Sequence, residues 1–217
     1  MNRSRRSAIG LVLAALVVSA LLASSASATT PQWIVEGKAL EKGATEAIAK
    51  STTVTESFSI KTTVAGVMLK VQCTNVTLPG SLIEGERTRK DNSFEMEGCS
   101  LASGPATCHV PATIKLKPLT STLEGTAGSF KLKFVPTTET EVMTITFSGA
   151  ECPLTAVKLV IEGTMSCNYP GVETEQVNHV LEFSLTSGTE LKRAGEKVTL
   201  TGKDEFWLTS SKKWKVA

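Results

Sequence analysis

The chain has 217 residues, of which 41% are hydrophobic and 20% charged, proportions that exclude a largely disordered polymer. Its formal charge is +2; setting aside Arg3, Arg5 and Arg6 leaves 20 basic residues against 21 acidic ones, a net of −1. That balance gives no electrostatic footprint for nucleic acid and no polybasic signal for an anionic membrane.

Residues 1–28 read as an export signal. Arg3, Arg5 and Arg6 form a positive leader, Ile9 to Ala23 is apolar apart from Gly10 and Ser19, and Ala26-Ser27-Ala28 supplies small residues for cleavage. Ser4-Arg5-Arg6 is only a fragment of a twin-arginine motif, so the general secretory route is expected. The apolar run is short for a membrane span, and no second run is long enough. The expected product is a single soluble domain, residues 29–217, secreted or held at the cell envelope.

That domain is expected to be all-β: an antiparallel β-sandwich or barrel-like fold, braced by disulfides, with little helix beyond the signal. Trp33 and Val35 share one face of a first short strand. Glu41 to Lys50 is the one stretch with helix propensity, but Gly43 and its length leave only a turn of helix or a loop. Val54, Phe58 and Ile60 alternate with polar residues. Val67-Met-Leu-Lys-Val-Gln-Cys73 then gives the clearest strand, with Val67, Leu69, Val71 and Cys73 on the core side. A short strand near Ser81 to Ile83 is followed by a charged run, Glu84 to Asp91, read as an exposed loop. Inward positions then recur as Phe94/Met96, Ile114/Leu116, Phe130/Leu132/Phe134 and Met143/Ile145/Phe147. Further on come Val157/Leu159/Ile161 with Met165/Cys167, then His179/Leu181/Phe183/Leu185, Val198/Leu200 and Phe206/Leu208. Turn residues separate these runs, as in sandwiches and antiparallel barrels. The spacing from phenylalanine to cysteine is the same at Phe94–Cys99 and Phe147–Cys152, a faint internal echo.

Five cysteines, Cys73, Cys99, Cys108, Cys152 and Cys167, allow two bridges and one free thiol. In an exported chain such cysteines pair. Cys99 with Cys108, close across a turn, is the first pairing expected, leaving Cys152 to join Cys167 or Cys73. No Cys-x-x-Cys exists, and His109 and His179 are the only histidines, which argues against zinc. Asp91 and Asp204 are the only aspartates, too few for a calcium loop. No cofactor is implied.

Catalytic patterns are equally sparse. There is no Gly-x-Ser-x-Gly elbow, and Cys108-His109 would point to opposite faces of a strand. The carboxylate pairs Glu84/Glu86, Glu95/Glu97 and Glu139/Glu141 read as solvated faces rather than a glycosidase pair. Lys115, Lys117, Lys131 and Lys133 would form a basic stripe if their two strands were neighbours, attracting an anionic envelope polymer or merely protecting an edge.

Trp33-x-Val35-x-Gly37, the strand ending in Cys73, Phe94-x-x-x-Gly98-Cys99, Cys108 followed by Ile114 and Leu119, and Phe147-Ser-Gly-x-x-Cys152 together resemble a group of secreted proteins from soil actinobacteria. The resemblance implies an exported β-rich protein; the group has no established activity, so no functional residue carries over. It also implies that Cys167, less regular in that pattern, is the unpaired thiol. The function expected is therefore a non-enzymatic binding or surface-structural role, with a lipocalin-like barrel carrying a small apolar ligand as the alternative.

Overall fold

Among the described residues the two-residue hydrophobic rhythm is realised as a succession of strands from Trp33 to Val216. The computed structural model describes residues 30–48, 54–184 and 187–217, and among these it holds strands and no helix. The residues read as an export signal lie outside the described residues, as does Leu185. In chain order the strands are β1 (Trp33–Val35), β2 (Lys38–Ala39), β3 (Thr45–Ala47), β4 (Val54–Val64), β5 (Val67–Cys73), β6 (Asn75–Thr77) and β7 (Leu82–Glu84). Then follow β8 (Thr88–Asp91), β9 (Glu95–Glu97), β10 (Ser100–Ser103), β11 (Thr113–Lys115), β12 (Leu119–Glu124) and β13 (Lys131–Pro136). The series ends with β14 (Glu141–Thr146), β15 (Lys158–Asn168), β16 (His179–Phe183), β17 (Glu190–Arg193), β18 (Glu196–Phe206) and β19 (Trp214–Val216).

One large antiparallel sheet runs β10-β5-β4-β18-β16-β15-β13-β12-β8-β7-β3, with β14 and β17 joined to it; β19-β1-β2 and β11-β9-β6 are smaller sheets. The 11-residue strands β15 and β18 organise the large sheet. β16 and β17 each pair with both of them, so β15, β17, β18 and β16 close a hydrogen-bonded circuit. Gly163 makes the closure possible. A Cβ there would lie 2.1 Å from the Glu190 carbonyl oxygen, so a side chain would push β17 off β15. The two ends of the domain are clasped together, with Trp33 opposite Val216 in the β1–β19 pair.

The interior is one continuous cluster of buried side chains that takes in the inward-facing series of every long strand. Three expectations about the strands and loops need correcting. Val67 is 42% exposed, because it sits beside the hairpin turn, beyond the edge of the core; Leu69, Val71 and Cys73 are buried as expected. The stretch with helix propensity instead supplies β3, paired to β7, and Ile48 bridges Leu208. Tertiary pairing overrides a weak local preference there; Ala49 and Lys50 lie outside the described residues. The charged run after Glu84 is not a loop: β7 and β8 form a hairpin, and β8 also pairs with β12.

The disulfides join Cys73 to Cys99 and Cys108 to Cys152. The expected Cys99–Cys108 bridge does not form because β10 lies antiparallel to β5, with Ser100 opposite Gln72. Extending that register by one residue sets Cys99 directly across from Cys73. Cys108 is drawn to Cys152 by the neighbouring bridge between His109 and Ser148. Cys167 is the free, buried thiol.

Candidate functional site

The hairpin read as a loop carries the most unusual chemistry in the molecule. Thr88 and Lys90 point outward on β8, so Arg89 and Asp91 point inward, and both are fully buried. Arg89 Nε and Nη2 donate to Asp91 Oδ1 at 2.9 and 2.7 Å. The guanidinium carbon lies 5.6 Å from the centre of the Phe134 ring and 5.2 Å from that of Phe206, within cation–π range. Burial is the largest influence and works against the Arg89 charge, but the Asp91 carboxylate and the other groups around the guanidinium together outweigh it and hold it more firmly protonated than usual.

Tyr169 and Cys167 complete this centre. Burial pushes both the Tyr169 phenol and the Cys167 thiol up, with the Arg89 charge opposing in each case. A thiol shifted that way stays protonated and is a poor nucleophile. Arg89 Nη1, Asp91 Oδ2 and the Tyr169 hydroxyl have no hydrogen-bond partner among the described residues. The centre is sealed from solvent, and its chemistry is that of a core spacer with a charge pair inside.

Tyr169 also leads to an aromatic cluster with Trp33, Phe206 and Trp214. His179 packs on Trp214, ring centres 4.0 Å apart. Its Nε2 donates to the Trp214 carbonyl at 2.8 Å, which leaves Nδ1 to accept from Gln176 Nε2 at 3.3 Å. Burial lowers its basicity, with the carbonyl bond opposing. The second histidine, His109, is exposed on a different segment. Among the described residues no group of three or more His, Cys, Asp or Glu is arranged to hold a metal ion.

The expected stripe of Lys115, Lys117, Lys131 and Lys133 is not assembled. β11 pairs with β9, whereas β13 lies between β12 and β15. Lys115 meets Glu95 at 3.0 Å and Lys117 meets Glu141 at 3.8 Å. Glu95 and Glu97 are half-buried rather than solvated, and Glu97 accepts from Asn75 Nδ2 and Thr77 Oγ1.

A different set of lysines is brought together. Lys70 on β5 lies directly opposite Lys61 on β4, Lys61 opposite Thr199 on β18, and Lys197 opposite Lys192 on β17. Directly paired residues share a face, and so do residues two apart on a strand. Lys70, Lys61, Lys197 and Lys192 therefore occupy one outer face across four adjacent strands, a width of roughly 14 Å at the usual strand spacing. Lys61, Lys192 and Lys197 are exposed and Lys70 half-buried. None of the four is in an ion pair among the described residues, while Lys203, further along β18, is held by Glu56 and Glu182. Glu162, opposite Lys192 on β15, ends the row. No pair within it is adjacent in sequence, so only the strand register reveals it.

In comparisons with known proteins, no family model, no curated protein and no solved structure matches this chain.

Proposed function

We propose that this is an exported, non-enzymatic β domain that works outside the cell or at its envelope and binds an anionic component there through the lysine face. The observation that carries this reading is the row of Lys70, Lys61, Lys197 and Lys192. Two Lys–Lys pairs set directly opposite one another destabilise a free sheet, and an anionic partner relieves that repulsion. Export is supported by the pattern of residues 1–28 and by two disulfides, which persist in oxidising surroundings. The candidate reactive groups support a non-enzymatic role: the Cys167 thiol is sealed in, and His179 is committed to Trp214 and Gln176. A binding role is favoured over a carrier of apolar ligands by the buried Arg89 and Asp91 and the rings of Phe134 and Phe206 beside them in the interior.

The test is cell fractionation of the wild-type chain and a Lys61→Glu/Lys197→Glu variant expressed in an exporting host. The wild type is expected in the envelope fraction and the variant in the medium. Equal distribution of the two would remove the lysine face from the function.

A further inference from the structure

The lysine face ends beside apolar side chains that the fold leaves uncovered. β4 and β5 turn through Ala65-Gly66, and β17 and β18 through Ala194-Gly195. The φ values are 48° and 80° in the first turn and 48° and 84° in the second. Two central residues with positive φ make the tight hairpin whose twist matches its strands. Lys61 on β4 lies opposite Thr199 on β18, and carrying that antiparallel register onward puts both turns at the same end of the sheet. Just past the first turn, Val67 is 42% and Met68 62% exposed; Val135 is the other large hydrophobic exposed among the described residues. Met68 shares the outer face with Lys70, two residues and roughly 7 Å further along the strand. The end of the sheet thus presents an apolar tip, with Lys197 and Lys192 level with Met68 across the sheet and Lys61 and Lys70 two residues further back.

We propose that this end of the protein docks on the surface of an anionic lipid bilayer without crossing it. Val67 and Met68 enter the boundary between headgroups and acyl chains, and Lys70, Lys61, Lys197 and Lys192 meet the lipid phosphates. An apolar wedge backed by flexible cations is the composition of interfacial anchors, and the long lysine stems let the charges stay at headgroup level while the tip goes deeper. A soluble linear polyanion would use the lysines but has no use for an uncovered Val67 and Met68. Single-stranded nucleic acid is bound over aromatic stacking platforms, and no aromatic side chain is among the exposed large hydrophobics of the described residues. Although the whole domain is nearly neutral, screening confines each charge's influence to about 8–10 Å, so the local row decides what this surface attracts. The proposal rests on the lysine face being a binding surface and names its partner.

The experiment is co-sedimentation of the protein, recovered from cells expressing the whole chain, with vesicles. One set contains equal parts phosphatidylglycerol and phosphatidylcholine, the other phosphatidylcholine alone. Binding is expected to the anionic vesicles and to weaken with salt. Lys61→Gln and Lys197→Gln should each lower the partition coefficient about fivefold, and Met68→Ser should lower it with no change in salt dependence. All three positions are exposed, and matched melting temperatures confirm that the variants are folded. Equal sedimentation with both vesicle types would overturn the proposal. So would anionic binding that is indifferent to Met68→Ser and fully displaced by soluble polyphosphate, since that is a site for charge alone. If the lysine variants leave the envelope fraction yet no lipid binding is found, the envelope reading stands and the lipid partner falls. If the lysine variants change neither fractionation nor sedimentation, both fall.

Discussion

Arg89 and Asp91 dictate how the residues around them can pack. A charge pair taken out of water loses hydration that its mutual attraction only partly restores, so the pair adds little net stability, whereas either charge left alone is costly. Asp91→Ala should therefore destabilise the protein by about 3–5 kcal/mol, while Arg89→Met combined with Asp91→Leu should cost far less than the two single changes added together. Urea unfolding of the singles and the double checks this; additive losses would show that the two charges do not depend on each other. Arg89→Lys is not a conservative change, because the planar fork to Asp91 and the stacking on Phe134 and Phe206 are both lost. His179 gives a pH dependence. Burial holds its folded-state pKa below the ordinary 6.5, so the unfolded chain takes up the proton first as pH falls. Its contribution is present above about 6.5 and is lost as pH drops through the lower folded value. Melting temperature should decline on acidification through that window, and the decline should be shallower in His179→Gln.

The hairpins and the two bridges set the behaviour of individual elements. β10 is an edge strand of only four residues, and the Cys73–Cys99 bond ties its start to β5. Closing loops of 26 and 44 residues restricts the unfolded chain by about 3.5 and about 4 kcal/mol in the chain-entropy model. Cys73→Ser should cost about 2–5 kcal/mol; a denaturation midpoint equal to wild type would show that β10 needs no tether. The lysine face also belongs to this scale, since it comes into being only when β5, β4, β18 and β17 lie side by side.

For the molecule as a whole, the closed circuit of β15, β17, β18 and β16 matters most. All four strands feed the same buried cluster, and the clasp of β1 with β19 joins the beginning of the domain to its end. With no seam in its core, the domain should unfold in one transition. Far-ultraviolet dichroism and tryptophan fluorescence, which reports on Trp33 and Trp214 in the aromatic cluster, should give coincident curves. Two resolved transitions would mean that the sheet divides into separately stable parts.

Much of this architecture is legible in the chain alone, because a period of two needs no knowledge of neighbours. Each apolar run reports its own inward face, as at Leu69 and Val71 and again at Phe130, Leu132 and Phe134. What the rule cannot see is any property shared by distant segments. Arg89 and Asp91 cancel one another's charge only when both face inward, so a hydropathy reading counts them as two solvated groups. Cysteine partners follow from which strands lie side by side, not from closeness in sequence, and so Cys99 meets Cys73 rather than Cys108. Lys61, Lys70, Lys192 and Lys197 are scattered along the chain, whereas Lys115, Lys117, Lys131 and Lys133 look clustered; strand order gathers the first set and parts the second. Local alternation decides that a segment becomes strand, because side-chain direction is a property of one backbone. Long-range pairing alone decides which charges and sulfurs meet, because that depends on how the strands are ordered in space.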